Sequence, residues 1–103
     1  YEGGETIMDT GIKKQVLDEI LMAAEKNNIE KVILFGSRAR GDYRKTSDID
    51  LAVSGGRIAH FQADIEEEVS TLLSFDIVNM DGSVQEELVD SIKREGKVLY
   101  EKI

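Results

Sequence analysis

The chain has 103 residues, with 13 Lys plus Arg against 21 Asp plus Glu and a formal charge of −8 at pH 7. That length suits one small domain with a single modest core, and so negative a balance speaks against gripping nucleic-acid phosphates. With no cysteine, disulfide frameworks and cysteine-based zinc or redox sites are excluded, and the usage fits a reducing, cytoplasmic setting.

The apolar run Val32 to Phe35, like every other in the chain, is far short of the ~20 residues that cross a bilayer, so no membrane partner is expected. Residues 1–8 have neither a basic start nor an apolar stretch and read as a frayed or added end. A single domain is expected over residues 9–103.

Asp9 or Thr10 is placed to cap a first helix running to about Asn28, because Ile12, Val16, Ile20 and Ala24 recur at helical spacing. Lys31 to Phe35 is a short, β-branched, nearly all-apolar run that predicts a strand buried on both faces. Gly36 breaks it, and the polar stretch from Ser37 to Ser47 predicts a loop opening with one helical turn. Asp48 to Val53 alternates, with Ile49, Leu51 and Val53 on one face and Asp48 and Asp50 on the other.

After the turn Ser54-Gly55-Gly56, a second amphipathic helix is predicted over about Ala59 to Leu73, with Phe61, Ile65, Val69 and Leu72 on its apolar stripe. Phe75 to Met80 predicts a third strand, and Ser83 to Arg94 a last helix carrying Val84, Leu88 and Ile92. The tail Val98-Leu99-Tyr100 is apolar but fits no element by pattern. The order predicts a small α+β domain, a mixed β-sheet with helices packed on one side.

Gly36 and Ser37 follow a strand directly, where backbone N–H groups and a hydroxyl can approach an anion. Gly36 and Gly41 have the spacing of a P-loop, but Asp42 and Tyr43 stand where that motif needs Lys and Ser or Thr. The P-loop reading fails, and a plain helix cap is the bland reading of Ser37. Asp48-Ile49-Asp50 aims two carboxylates at one side of the sheet, where they repel unless a hard cation lies between them. Taken alone, such a pair is usually a solvated strand face. Asp76 adds weight, since it interrupts an otherwise apolar strand where an unpaired charge is costly to bury. Three converging acids can hold two metal ions for a displacement at phosphorus, and one of them can accept a hydroxyl proton. Asp81 is a weaker candidate, beyond the apolar run.

Gly36-Ser37, ten residues, Asp48-Ile49-Asp50-Leu51 and then Asp76 resemble the signature of the DNA polymerase β-like nucleotidyltransferase superfamily. Within it, Gly36 to Gly41 and Ser47 to Leu51 are similar to the minimal nucleotidyltransferases, the MNT group. The likeness is close over Val32 to Val53 and continues through Phe75 to Val78 and Gly96 to Tyr100, so the nucleotidyltransferase fold is implied. The resemblance implies that Gly36 and Ser37 hold nucleotide phosphates, with Arg40 near them or bracing the loop. It implies that Asp48, Asp50 and Asp76 bind two Mg²⁺ ions, with Asp76 activating the acceptor. The implied reaction moves a nucleoside monophosphate, AMP from ATP or its counterpart from another NTP, to a hydroxyl.

Members of the MNT group are commonly paired with a helical HEPN-domain protein, which some adenylylate on tyrosine as its antitoxin. Two readings therefore stand: an active nucleotidyltransferase, and a binding module that neutralises a partner by docking. Direct nucleic-acid binding is not expected, because a polymerase or RNA-tailing role needs more chain and more positive surface.

Arg38, Arg40, Arg44 and Lys45 crowd around Asp42, a local positive patch suited to steering an anionic nucleotide; the bland reading is a solvated loop. His60 reads as structural or surface, Glu66-Glu67-Glu68 as a solvated helix face, and Met22 and Met80 as core. Apolar edges on the last helix and tail point to self-association or partner docking.

Overall fold

The computed structural model describes residues 10–102, and the expectation for residues 1–8 lies outside them. Helix α1 spans Lys14–Lys26, strand β1 Lys31–Phe35, the short helix α2 Ser37–Arg40 and strand β2 Ile49–Ser54. Helix α3 spans Ile58–Glu68, β3 Phe75–Asn79, α4 Glu86–Glu95 and β4 Lys97–Glu101. The strands form one mixed sheet in the order β3-β2-β1-β4. β1 is antiparallel to both β2 and β4, and β2 runs parallel to β3.

Alternation along the strands divides the apolar side chains between two faces. Val32 and Leu34 of β1 and Ile49, Leu51 and Val53 of β2 turn toward α1 and α3, where Ile20, Ala24, Phe61 and Ile65 complete the main core. Each Val, Leu, Ile or Phe side chain so buried contributes about 1.5–3 kcal/mol. Phe35 and Ala52 turn the other way and meet Ile92 of α4, with Ile33, Val78, Met80 and Leu88 around them.

The α+β class and mixed sheet are as predicted, whereas the helices are not all on one side. α1 and α3 share a face, and α4 covers part of the opposite one. The apolar tail is also resolved: it returns as β4 beside β1, with a register shift between Val32 and Ile33.

Three element ends differ from the sequence reading. α1 starts at Lys14, because Gly11 takes φ +70° and Thr10 Oγ1 accepts from the Ile12 N–H before the helix begins. α3 stops at Glu68 and Val69 is extended; the Ser70 N–H then donates to Glu19 of α1 at 2.7 Å, leaving Leu72 fully exposed. α4 begins at Glu86 rather than Ser83, after an extended Gln85. Met22, expected in the core, is 69% exposed on α1, while Met80 does pack against the smaller cluster. His60 and the three consecutive glutamates are exposed, as expected.

Candidate active site

The antiparallel register sets Phe35 opposite Asp50, and the parallel register sets Asp50 opposite Asp76. Neighbouring strands lie about 4.8 Å apart, so these two carboxylates leave the sheet side by side. Asp48 stands two residues earlier, just before β2 begins, and its charge still acts on the Asp50 carboxyl. The side of the sheet that Asp50 and Asp76 share is the one α4 covers, since Ala52 and Val78 continue it toward Ile92. The acids occupy its uncovered end.

Gly36 closes the other flank. Its φ of +76° is hard for any residue with a Cβ, and a Cβ there would fall onto the Asp50 carboxylate. The turn from β1 into α2 thus brings bare backbone against the central acid, and Ser37 opens the helical turn beside it. α2 ends at Gly41, in the left-handed conformation with φ +96°.

Burial pushes the Asp50 carboxyl up to about 6, with the charges of Asp76 and Asp48 adding to it and Arg40 opposing it. Asp48 and Asp76 are exposed. Asp76 is thus not the buried charge that the apolar run around it predicts: β3 is an edge strand, so its carboxylate reaches solvent while its backbone pairs with β2. Among the described residues no group of three or more His, Cys, Asp or Glu side chains is already gathered as a metal cage. Asp48, Asp50 and Asp76 nonetheless share one patch, where their like charges repel.

Arg40 braces the loop. Its Nε donates to Asp42 at 3.2 Å, and its NH1 donates to Glu95 of α4 at 2.8 Å. Asp81 stands apart from the acids: its carboxylate accepts the Gly55 N–H at 2.9 Å and holds a turn. Arg44 and Lys45 are exposed, as the basic-patch reading requires, but Arg38 is not.

Arg38 is the residue whose place the sequence did not give. It is 1% exposed, and its planar fork donates to four backbone carbonyls: Ser47 at 3.0 Å, Thr10 at 2.9 Å, Lys45 at 3.2 Å and Arg44 at 3.4 Å. The guanidinium also lies 4.9 Å from the centre of the Tyr43 ring. An arginine among other basic residues reads as solvated; only the folded loop reveals that this one points inward.

Two strands that align a pair of carboxylates, a third acid just ahead of them and a glycine-serine turn alongside make a site suited to a cation and a polyphosphate. Residues 17–103 match the family model described as polymerase beta, nucleotidyltransferase. A Methanocaldococcus jannaschii protein named as a putative protein adenylyltransferase is 35% identical over 89 residues, which cover 78% of this chain and 87% of that one. A solved structure described as a toxin-antitoxin with AMP-PNP superposes with a TM-score of 0.67 at 24% identity, over 84% of this chain and 73% of that one. A mutant of a toxin-antitoxin called MntA-HpeT gives 0.66 at 22% identity, with the same coverage of 84% and 73%. These structures share the fold, and with the family match over most of its length the chain belongs to the polymerase β nucleotidyltransferases.

Proposed function

We propose that this chain transfers AMP from ATP to a hydroxyl on a partner protein, a tyrosine of a HEPN-domain toxin, and so acts as its cytoplasmic antitoxin. The observation that carries this reading is the register of Asp50 against Asp76 beside the Gly36-Ser37 turn. The relative named as a putative protein adenylyltransferase supports a protein acceptor, and the likeness to toxin-antitoxin structures supports the partner class.

Nucleotidyltransferases of this family generally use divalent metals. The residues here fit such an ion: all three donors are hard carboxylate oxygens, and Asp50 is held up to about 6 by burial and by its two acidic neighbours. Asp48, Asp50 and Asp76 would hold two Mg²⁺ ions, whose chemistry is to neutralise phosphate charge and lower the pKa of the acceptor hydroxyl.

The chain's own groups supply the rest. Gly36 and Ser37 bind the β and γ phosphates through backbone N–H groups and the hydroxyl, with Arg40 beside them. Asp76, on the edge strand, faces the solvent from which an acceptor must come, and it accepts the hydroxyl proton. The acceptor oxygen bonds to the α-phosphorus as the bond to the bridging oxygen breaks, and pyrophosphate leaves.

The test is incubation with α-labelled ATP, Mg²⁺ and a HEPN-domain partner. Label on the partner that is lost with Asp48→Asn supports the enzyme. Full neutralisation of the toxin by Asp48→Asn without label would establish the docking reading instead.

A further inference from the structure

We propose that Arg38 is a positioning residue for the acid site, fixing Asp48 by clamping the turn that delivers it. This rests on the reading of Asp48, Asp50 and Asp76 as metal ligands. Asp50 and Asp76 lie within strands and are placed by sheet register. Asp48 lies outside the ladder, so the turn at Arg44 to Ser47 has to set its position.

That turn is closed on itself: the Arg44 N–H donates to Ser47 Oγ at 2.8 Å, and the Ser47 N–H donates to the Arg44 carbonyl at 3.0 Å. Arg38 then takes the carbonyls of Arg44, Lys45 and Ser47 in one fan. Through NH1 it also ties them to Thr10, ahead of α1. Carbonyls are dipoles rather than counter-ions, and a desolvated guanidinium among them is expensive unless every donor is used. Such a residue is poorly suited to steering ligands but well suited to holding backbone.

The last clamped carbonyl belongs to Ser47, one peptide before Asp48. Arg38 also sits in α2, directly after Ser37, so one side chain couples the glycine-serine turn to the first acid. A lysine cannot replace it, because an ammonium offers its donors from a single point and not from a planar fork.

The experiment compares wild type, Arg38→Lys and Ser47→Ala, with Asp50→Asn as control, by titrating Mn²⁺ and reading the free ion by electron paramagnetic resonance. Folded fraction is read by circular dichroism, and trypsin cleavage after Arg44 and Lys45 is followed in EDTA. Folded Arg38→Lys is expected to bind Mn²⁺ about tenfold more weakly and to be cut faster, as for other groups that orient metal ligands. Ser47→Ala, which loosens the same turn without touching Arg38, is expected to shift affinity in the same direction by a smaller factor. A folded Arg38→Lys with wild-type Mn²⁺ affinity overturns the proposal. If Arg38→Lys does not fold, wild-type affinity in Ser47→Ala overturns it. A wild type without Mn²⁺ binding that Asp50→Asn abolishes overturns the metal-site reading itself, and this inference with it.

Discussion

Asp50 and Asp76 are direct partners in the parallel β2–β3 register, with Asp48 two residues upstream of Asp50. Without a cation, this arrangement opposes folding at neutral pH. Asp50 has its carboxyl pushed up to about 6, against about 3.9 in an unfolded chain. Between those values the native state binds the proton more tightly, so stability from this group is present at low pH and lost as pH rises through about 6. Asp50→Asn should therefore stabilise the metal-free protein at pH 7.5, on the order of 1 kcal/mol after allowing for solvent screening. Urea unfolding in EDTA at pH 4.5, 6 and 7.5 checks it. The variant's advantage should grow from the first pH to the last; a constant difference would contradict the assignment.

The same repulsion predicts stabilisation by divalent ions. At ten times its dissociation constant, a ligand bound only by the native state adds about 1.4 kcal/mol, which is several degrees in Tm at this chain length. Mg²⁺ or Mn²⁺ at millimolar concentration should raise the melting temperature, more so with ATP, and EDTA should reverse the shift. Asp50→Asn and Asp76→Asn should each abolish it. An unchanged melt in wild type would count against a cation between these acids.

Two glycines of the α2 turn give opposed expectations. Gly36 and Gly41 both have positive φ, but a Cβ at Gly36 meets the Asp50 carboxylate, while one at Gly41 meets nothing within 4 Å. Gly41→Ala should lose about 1 kcal/mol of stability through backbone strain alone and keep its transfer activity. Gly36→Ala should lose more stability and also the labelling of the acceptor. Equal losses of activity in the two variants would separate Gly36 from the site.

The strands that carry the candidate acids were more legible in the sequence than the elements around them. Lys31 to Phe35 and Asp48 to Val53 were legible because a buried strand and an alternating one are written in consecutive side chains. β4 was not: Lys97 to Glu101 is a short run whose partner, β1, lies far upstream, so its state is decided by tertiary pairing. The stripe through Val69 and Leu72 overran α3 because periodicity cannot register that Glu19 takes the Ser70 N–H. The apolar stripe of Leu88 and Ile92 announced an amphipathic α4 without saying which face of the sheet it covers. Arg38 was least legible, since its charge says surface and only the carbonyls around it say otherwise.

Arg40 links the site to α4, and its two anionic partners set a competition. Its NH1 donates to Glu95 at 2.8 Å and its Nε to Asp42 at 3.2 Å, but Arg40 itself is exposed, and solvent screens such pairs so that they add little to stability. Arg40→Ala should therefore change stability little. If Arg40 also meets the triphosphate, bound nucleotide must compete with Glu95 for the same guanidinium, because an arginine fork directed at a carboxylate is not free to grip phosphate. Arg40→Ala should then raise the KM for ATP, and Glu95→Gln should lower it by releasing the guanidinium, with kcat changed less in both. A purely bracing Arg40 predicts otherwise: Glu95→Gln and Arg40→Ala would shift KM in the same direction, because each breaks the same strut between α2 and α4. Steady-state kinetics on the two variants thus separates binding from bracing by sign alone.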